Sequence, residues 1–436
     1  MSDIDYSNPH NTPPVGQAIP LGLQHVLAMF ASNVTPSIIV AGAAGLAFGG
    51  AEQIYLIQMA MLFAGIATLF QTIGAGPIGS RLPIMQGTSF AFVGVLAGVA
   101  ATQGLSVALT ACIIAGLIHF ALGSIIQNIR FMFPPLVTGL VILAIGLYLI
   151  PVAIKYSAGG AAEFQMNAES FGSLMHWSVA LTVVVVSLIC KFMTKGLISN
   201  AAVLIGLIAG YIVAIFMGMV SFGGVAKSAW FQIPEVMPYG FEFSLGAVIG
   251  VTLVSIVSAI ETVGDTSATT KAGAGRDATD EEISGATYAD GLGTAVAGVF
   301  GGLPNTSFSQ NVGIVGMTGI MSRHVVTIAG LIMVICGLIP KIGAVISSMP
   351  LPVLGGGVIV MFGMVAAAGM NMLSTVKMSR RNMIIISVSL AVGLGLNLVP
   401  SAVQYLPGIW KTLATSAVAP TALLAVTLNL ILPQED

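Results

Sequence analysis

Apolar stretches of about twenty residues recur along the whole chain, broken by short clusters of Gly, Pro and charge. A helix needs about 20 mostly apolar residues to cross the hydrocarbon of a bilayer, so these stretches predict membrane helices. In the first half they fall at 21–44, 52–74, 84–102, 106–126, 133–153, 174–193 and 198–219. In the second half they fall at 244–263, 284–301, 304–320, 324–347, 352–373, 382–398 and 409–432. The expectation is an all-α polytopic membrane protein of fourteen segments. Residues 84–102, 284–301 and 304–320 are the shortest or most interrupted.

One of those stretches breaks the apolar rule. Leu303–Gly319, LPNTSFSQNVGIVGMTG, carries Asn305, Thr306, Ser307, Ser309, Gln310, Asn311 and Thr318 at membrane depth. Unpaired polar groups in hydrocarbon cost several kcal/mol each, so the segment is stable only where protein or a polar cavity surrounds it. It therefore reads as part of a binding site.

The same stretch has a counterpart upstream. Leu82-Pro83 precedes Gly87-Thr88-Ser89-Phe90, and Leu303-Pro304 precedes Asn305-Thr306-Ser307-Phe308, an offset of 218 in a chain of 436. A second match, Pro135–Gly146 with Pro352–Gly363, lies at 217. Seven crossings separate equivalent positions, so the two halves lie oppositely in the membrane. Inverted repeats of this kind build secondary transporters, with the site at mid-membrane where broken helices meet. In both copies Pro and the polar residues after it predict a short extended piece. Ser or Thr then caps a half-helix beginning near Phe90 or Gln310. Two such amino termini present free N–H groups to one place, suiting a ligand with carbonyl oxygens.

Composition agrees with the pattern: 56% of residues are hydrophobic and 7% charged, too few to coat a water-soluble globule. Residues 1–19 lack the layout of a cleavable signal, which leaves insertion to the first helix. With the amino terminus placed in the cytoplasm, Arg81, Arg130, Lys191, Lys195, Lys271, Arg276, Arg323, Lys377, Arg380 and Arg381 fall inside. Only Lys155, Lys227, Lys341 and Lys411 fall outside, so both termini are expected to be cytoplasmic. Cys112, Cys190 and Cys336 are scattered without metal-ligand spacing and read as core residues. Gly355-Gly356-Gly357 reads as close helix packing, since no Lys-Ser/Thr follows it. No triad, metal cluster or nucleotide fingerprint is present, which argues against an enzyme.

Buried charge singles out the remaining candidates. Glu261 and Asp265, four apart near the end of an apolar run, share a helix face; a carboxylate at that depth is a functional candidate, with an interfacial position the alternative. Asp290 is either a structural or proton-handling group inside the bundle or a helix-end cap. His25 is either a neutral histidine bonded across helices or a support for the site. Asp277, Asp280, Glu281 and Glu282 read as a solvated loop. His119, His324 and His176 fall near span ends and read as interfacial.

QNVGIVGMTG, Gln310–Gly319, resembles the signature of the nucleobase-ascorbate transporter family, also called nucleobase:cation symporter-2, and GLQHVLAMF, QGTSFAFVG and ETVGD are similar to the family over nearly the whole chain. The resemblance implies two inverted seven-segment repeats after a cytoplasmic tail at 1–20. A core domain would comprise segments one to four and eight to eleven, residues 21–126 and 244–347. A gate domain would comprise segments five to seven and twelve to fourteen, residues 133–219 and 352–432. It implies a nucleobase carrier of the bacterial inner membrane, bounded by lipid and often homodimeric. Such a carrier needs no cofactor or metal, co-transports a proton and has no nucleic-acid partner. Carried over, Glu261 hydrogen-bonds the base and Gln310 is the second clamp. Phe90, Ser89 and Ser309 line the pocket, and Asp265, Asp290, His25, Asn311 and Thr318 support it or handle the proton. Gln at the first motif position favours an oxidised purine, xanthine or uric acid, whose mixed edge suits an amide that both donates and accepts. Val312 departs from the second Asn frequent in purine carriers. Uracil is therefore the alternative base, and an anion exchanger or channel of the same architecture is the remoter one.

Overall fold

The computed structural model describes residues 7–433, without the side chain of Ile409. In chain order the principal elements are α1 (Val15–Ala43), α2 (Ala51–Ile73), β1 (Gln86–Thr88), α3 (Val93–Gln103), α4 (Leu105–Leu122), α5 (Pro135–Ser157), α6 (Leu174–Met193) and α7 (Ala202–Phe216). There follow α8 (Leu245–Ala274), α9 (Asp280–Val299), β2 (Asn305–Ser307), α10 (Ser309–Thr318), α11 (Arg323–Gly337), α12 (Pro340–Ser347), α13 (Leu351–Ser374), α14 (Arg380–Leu398), α15 (Gly408–Thr415) and α16 (Val418–Ile431). Each expected segment thus has a helical counterpart. Among the described residues eight helices are individually long and apolar enough to cross a membrane, or nine if the bent pair α11–α12 counts as one span.

Several expected segments are broken or shifted. α11 and α12 meet at 79°, with Pro340 opening the second piece. α15 and α16 break at Ala417, whose φ of 59° no helix interior accommodates. The last six residues of the expected tail, 15–20, belong to α1, and residues 1–6 lie outside the described part. α8 runs eleven residues beyond the expected end at 263, to a left-handed Gly275, so Glu261 and Asp265 stand mid-helix. The acidic run is a loop only at Asp277. Thr279 and Glu282 form a reciprocal cap, and Asp280, Glu281 and Glu282 fill the first turn of α9, where negative charge meets the helix dipole favourably.

The inverted repeat is visible in the packing. α2 lies against α11 as α4 lies against α9, and α5 lies along α13, its own repeat mate. At the centre β1 and β2 pair antiparallel, Gln86 with Ser307, Gly87 with Thr306 and Thr88 with Asn305. Flanking bonds continue the ladder from Ser89 N–H to Pro304 O and from Phe308 N–H to Met85 O, at 2.9 and 3.0 Å. Under the 218-residue offset Gly87–Thr306 maps onto Thr88–Asn305 and Gln86–Ser307 onto Ser89–Pro304, so the ladder sits on the pseudo-two-fold axis. After each strand comes a half-helix, through a 3-10 turn at Phe90–Phe92 into α3, and directly into α10. With ten residues, α10 is about 15 Å long, half the hydrocarbon thickness. The fold therefore sets both half-helix starts at mid-depth.

Basic residues gather at one end. The amino-terminal tail reaches it, with Pro9 O accepting from Arg323 N–H and Asn11 O from Ser322 Oγ. Arg323 also donates to Thr72 O, and the pairs Arg130–Asp280, Lys271–Asp277 and Arg276–Glu282 gather where α8 ends and α9 begins.

Candidate functional site

Between the half-helix starts lies a cavity of about 200 Å³. A single water needs only about 10–15 Å³, so the space is large enough for a small molecule. Thr88, Ser89, Phe90 and Ala91 form one wall, Thr306 to Gln310 another, and Glu261 of α8 a third. Ile142 and Ile145 of α5 and Met364, Val365 and Ala368 of α13 close it with apolar surface. Phe90 is braced edge-on by Phe362, ring centroids 5.2 Å apart. Ser89 lines the wall but spends its hydroxyl on the cap, accepting from Ala91 N–H at 3.3 Å.

Among the described residues, neither the Glu261 carboxylate nor the Gln310 amide has a hydrogen-bond partner within the protein, although both line the cavity. Both side chains are partly exposed rather than buried, so each turns its polar atoms to the open cavity, where a ligand can meet them. Asp265 is different. It stands one turn behind Glu261 and accepts from Ser307 Oγ at 2.7 Å and Ser309 Oγ at 2.8 Å, so it holds the strand and the half-helix start rather than the cavity.

Three further anchors keep the two straps in place. Asp290, fully buried, accepts from Gln71 Nε2 at 3.1 Å and from Gln86 Nε2 and Thr262 Oγ1, joining α9 to α2, β1 and α8. Asn311 ties α10 to α1 through His25, its amide donating to the His25 carbonyl at 3.0 Å and lying 3.1 Å from Nδ1. Asn33 on α1 accepts from Thr88 N–H at 2.8 Å and donates to Ala60 O at 3.0 Å, linking α1, α2 and β1. Gly87 is required beside it. A Cβ there would stand 2.5 Å from the Phe308 ring, 2.6 Å from Met29 and 2.8 Å from Asn33 Oδ1.

The sequence candidates thus separate into groups. Glu261, Gln310, Phe90, Ser89 and Ser309 meet at the cavity; Asp265, Asp290, His25 and Asn311 fasten the elements around it. Thr318 does not join them, bonding within α10 to Ile314 O at 2.8 Å. Sequence reasoning missed Asn33, Gln71, Gln86 and Thr262. The polar character of Gln71 and Gln86 within apolar runs was a usable signal, whereas Asn33 and Thr262 resemble ordinary helix-packing residues. His119, expected at an interface, is instead 1% exposed with neither ring nitrogen partnered.

Electrostatically the centre is acidic and unbalanced. The ion pairs among the described residues are Arg130–Asp280, Lys271–Asp277, Arg276–Glu282 and the contact of His176 with Glu163, none of which reaches Glu261, Asp265 or Asp290. Among the described residues no three His, Cys, Asp or Glu side chains converge to hold a metal.

Comparison with known proteins extends this picture. Residues 16–402 match a family model described as a permease family. The chain is 38% identical over 416 residues to the uric acid permease PucK of Bacillus subtilis, covering 95% of each. The chain belongs to the nucleobase-ascorbate transporter family. It is accordingly a permease and not an enzyme. The xanthine permease of the same organism is 34% identical over 419 residues, with 95% of this chain and 94% of that one covered. Among solved structures, the transmembrane domain of a cyanobacterial bicarbonate transporter, BicA, superimposes with a TM-score of 0.63 at 15% identity, covering 95% of this chain and 97% of that one. At that identity the likeness speaks for the fold alone, the same inverted-repeat architecture.

Proposed function

We propose that this permease carries an oxidised purine nucleobase, xanthine or uric acid, into a bacterial cell together with a proton. The observation that carries the reading is the unpartnered pair, Glu261 carboxylate and Gln310 amide, on the wall of a cavity between two half-helix amino termini. An amide that donates and accepts, beside a carboxylate that accepts from ring N–H groups, suits the alternating edge of a dioxopurine. Phe90 supplies a face for the ring, and the N–H groups that open α10 suit its carbonyl oxygens, whereas at the start of α3 the Gly94 N–H is already taken by the Tyr148 hydroxyl. The names of the two Bacillus relatives support the same class of substrate.

Proton coupling follows from charge. Glu261, Asp265 and Asp290 lie together in the bundle without a cation, and charged carboxylates so placed are costly. Asp265 and Asp290 are stabilised by the donors that surround them; Glu261 has none. A proton on Glu261 relieves that cost, adds an O–H donor and leaves its carbonyl oxygen to accept from a ring N–H, so base and proton bind as a unit. Transport then requires the half carrying α1–α4 and α8–α12 to move against α5–α7 and α13–α16, of which α5 and α13 form the apolar wall of the cavity. The basic end faces the cytoplasm in this reading, with both termini, and two copies pair in the inner membrane.

Uptake of radiolabelled xanthine and urate, competed by unlabelled purines and uracil, tests the substrate. If uracil competes and xanthine does not, the purine reading fails.

A further inference from the structure

Besides the central cavity, two others lie along one seam between α8 and α5. The second cavity, about 10 Å³, shares Ile142, Ile145 and Glu261 with the first. The third, about 220 Å³, shares Phe133, Thr138 and Ile260 with the second. The three therefore form a chain of spaces leading from Glu261 toward Arg130, which pairs with Asp280 at 3.4 Å at the basic end. The outermost is as roomy as the central one, while the middle one is at the limit for a single water. On α5, Thr138, Val141, Ile142 and Ile145 fall at helical spacing along one face, opposite Val257, Ile260 and Glu261 on α8.

We propose that the base leaves the site along this seam, through a neck formed by Ile260 and Val257 against Val141 and Thr138, into a staging cavity beside Arg130. The proposal rests on the nucleobase reading above. Its physical basis is the sequence of environments. Glu261, at the inner end of the neck, is the last polar group of the site; the neck itself is apolar apart from the Thr138 hydroxyl; and Ser267, Thr375 and Arg130 restore polar contacts beyond it. A base crossing such a neck sheds its hydrogen bonds on one side and regains them on the other, so separation of α5 from α8 at this point governs release. Among the described residues Arg130 is the one cation lining any of the three spaces, and although Asp280 balances its charge its guanidinium still offers donors to the carbonyl oxygens of an emerging base.

Ile260→Trp fills the neck without altering the cavity wall. In this variant xanthine binding to detergent-purified protein is expected to stay within about threefold of the parent while uptake into proteoliposomes falls by more than about tenfold, the split expected of a blocked transit step. Uptake equal to the parent's overturns the route. Should Ile260→Trp misfold, Thr138→Cys in a chain with Cys112, Cys190 and Cys336 replaced by Ala decides the matter. A membrane-impermeant thiol reagent is expected to react from the basic end, and xanthine in excess to slow it. No reaction, or reaction from the opposite end alone, overturns the proposal. If the parent neither binds nor carries xanthine or urate, the substrate reading fails, and the thiol reaction still reports whether the neck opens to that end.

Discussion

Asp290 offers the most demanding check on how the site is held. Its carboxylate is fully buried and accepts from Gln71, Gln86 and Thr262. In Asp290→Ala, Gln71 keeps a second acceptor, Ala286 O at 3.0 Å, but Gln86 Nε2 loses its partner and Thr262 Oγ1 retains only a 3.5 Å approach to Thr306. Two stranded donors at about 1–3 kcal/mol each give a loss of roughly 2–6 kcal/mol. For a chain of this length that corresponds to a melting temperature lower by on the order of 2–6 °C. Asp290→Asn should behave otherwise. It keeps the shape, its carbonyl goes on accepting from Gln71 and Gln86, and its new N–H can donate to the Thr262 hydroxyl, so the expected loss is about 1 kcal/mol or less. The assay is thermal unfolding of purified protein in detergent, repeated with Gln86→Leu and the Asp290→Ala/Gln86→Leu double variant. The two losses should fall short of additive, because the pair shares one bond. Equal damage from Asn and Ala, or strict additivity, would refute the assignment of Asp290 as the post to which β1 is tied.

Other outcomes follow from the same geometry. Gly87→Ala forces a methyl against the Phe308 ring and Asn33, so uptake should fall at least about tenfold at near-normal membrane expression, an effect measured by transport against immunoblot. Uptake should rise as the outer medium is acidified, collapse with a protonophore and survive replacement of sodium by choline; the opposite ion dependence removes the proton from the account. At the basic end, burial opposes ionisation of Glu282, but Arg276 and the Thr279 N–H outweigh it and hold the carboxyl below the ordinary range. A value lower in the folded state means a contribution present above the unfolded value and lost as pH falls through the folded one. Glu282→Gln should therefore lower the melting temperature by on the order of 1 °C at neutral pH, with the gap closing in acid.

Much of this arrangement was legible before any coordinates. Matches offset by 218 and 217 residues, two that nearly agree, pointed to the inverted halves, and the polar run at Leu303–Gly319 pointed to the site because hydrocarbon tolerates no such run unburied. Glu261 and Gln310 were visible as chemistry out of place. What escaped was information carried by tertiary packing. Ala417, itself neither Gly nor Pro, breaks the last segment three residues before Pro420, whose ring suits the first turn of a new helix, and the continuation of α8 past Asp265 depends on neighbours that cover its polar turns. Asn33 was hidden because its role, accepting from Thr88 N–H, exists only once α1 crosses β1. The acidic run at 277–282 was read by charge alone, while Thr279 three residues before Glu282 was the capping signature that placed a helix there.

The central claim is that Glu261 and Gln310 together hold the base. Equilibrium binding of radiolabelled xanthine and urate to purified parent, Glu261→Gln and Gln310→Ala proteins tests it most directly. The account predicts saturable binding by the parent and a loss of at least about tenfold, some 1.4 kcal/mol, in each variant, with the pH dependence of binding abolished in Glu261→Gln. Unchanged affinity and unchanged pH dependence in both variants would contradict it.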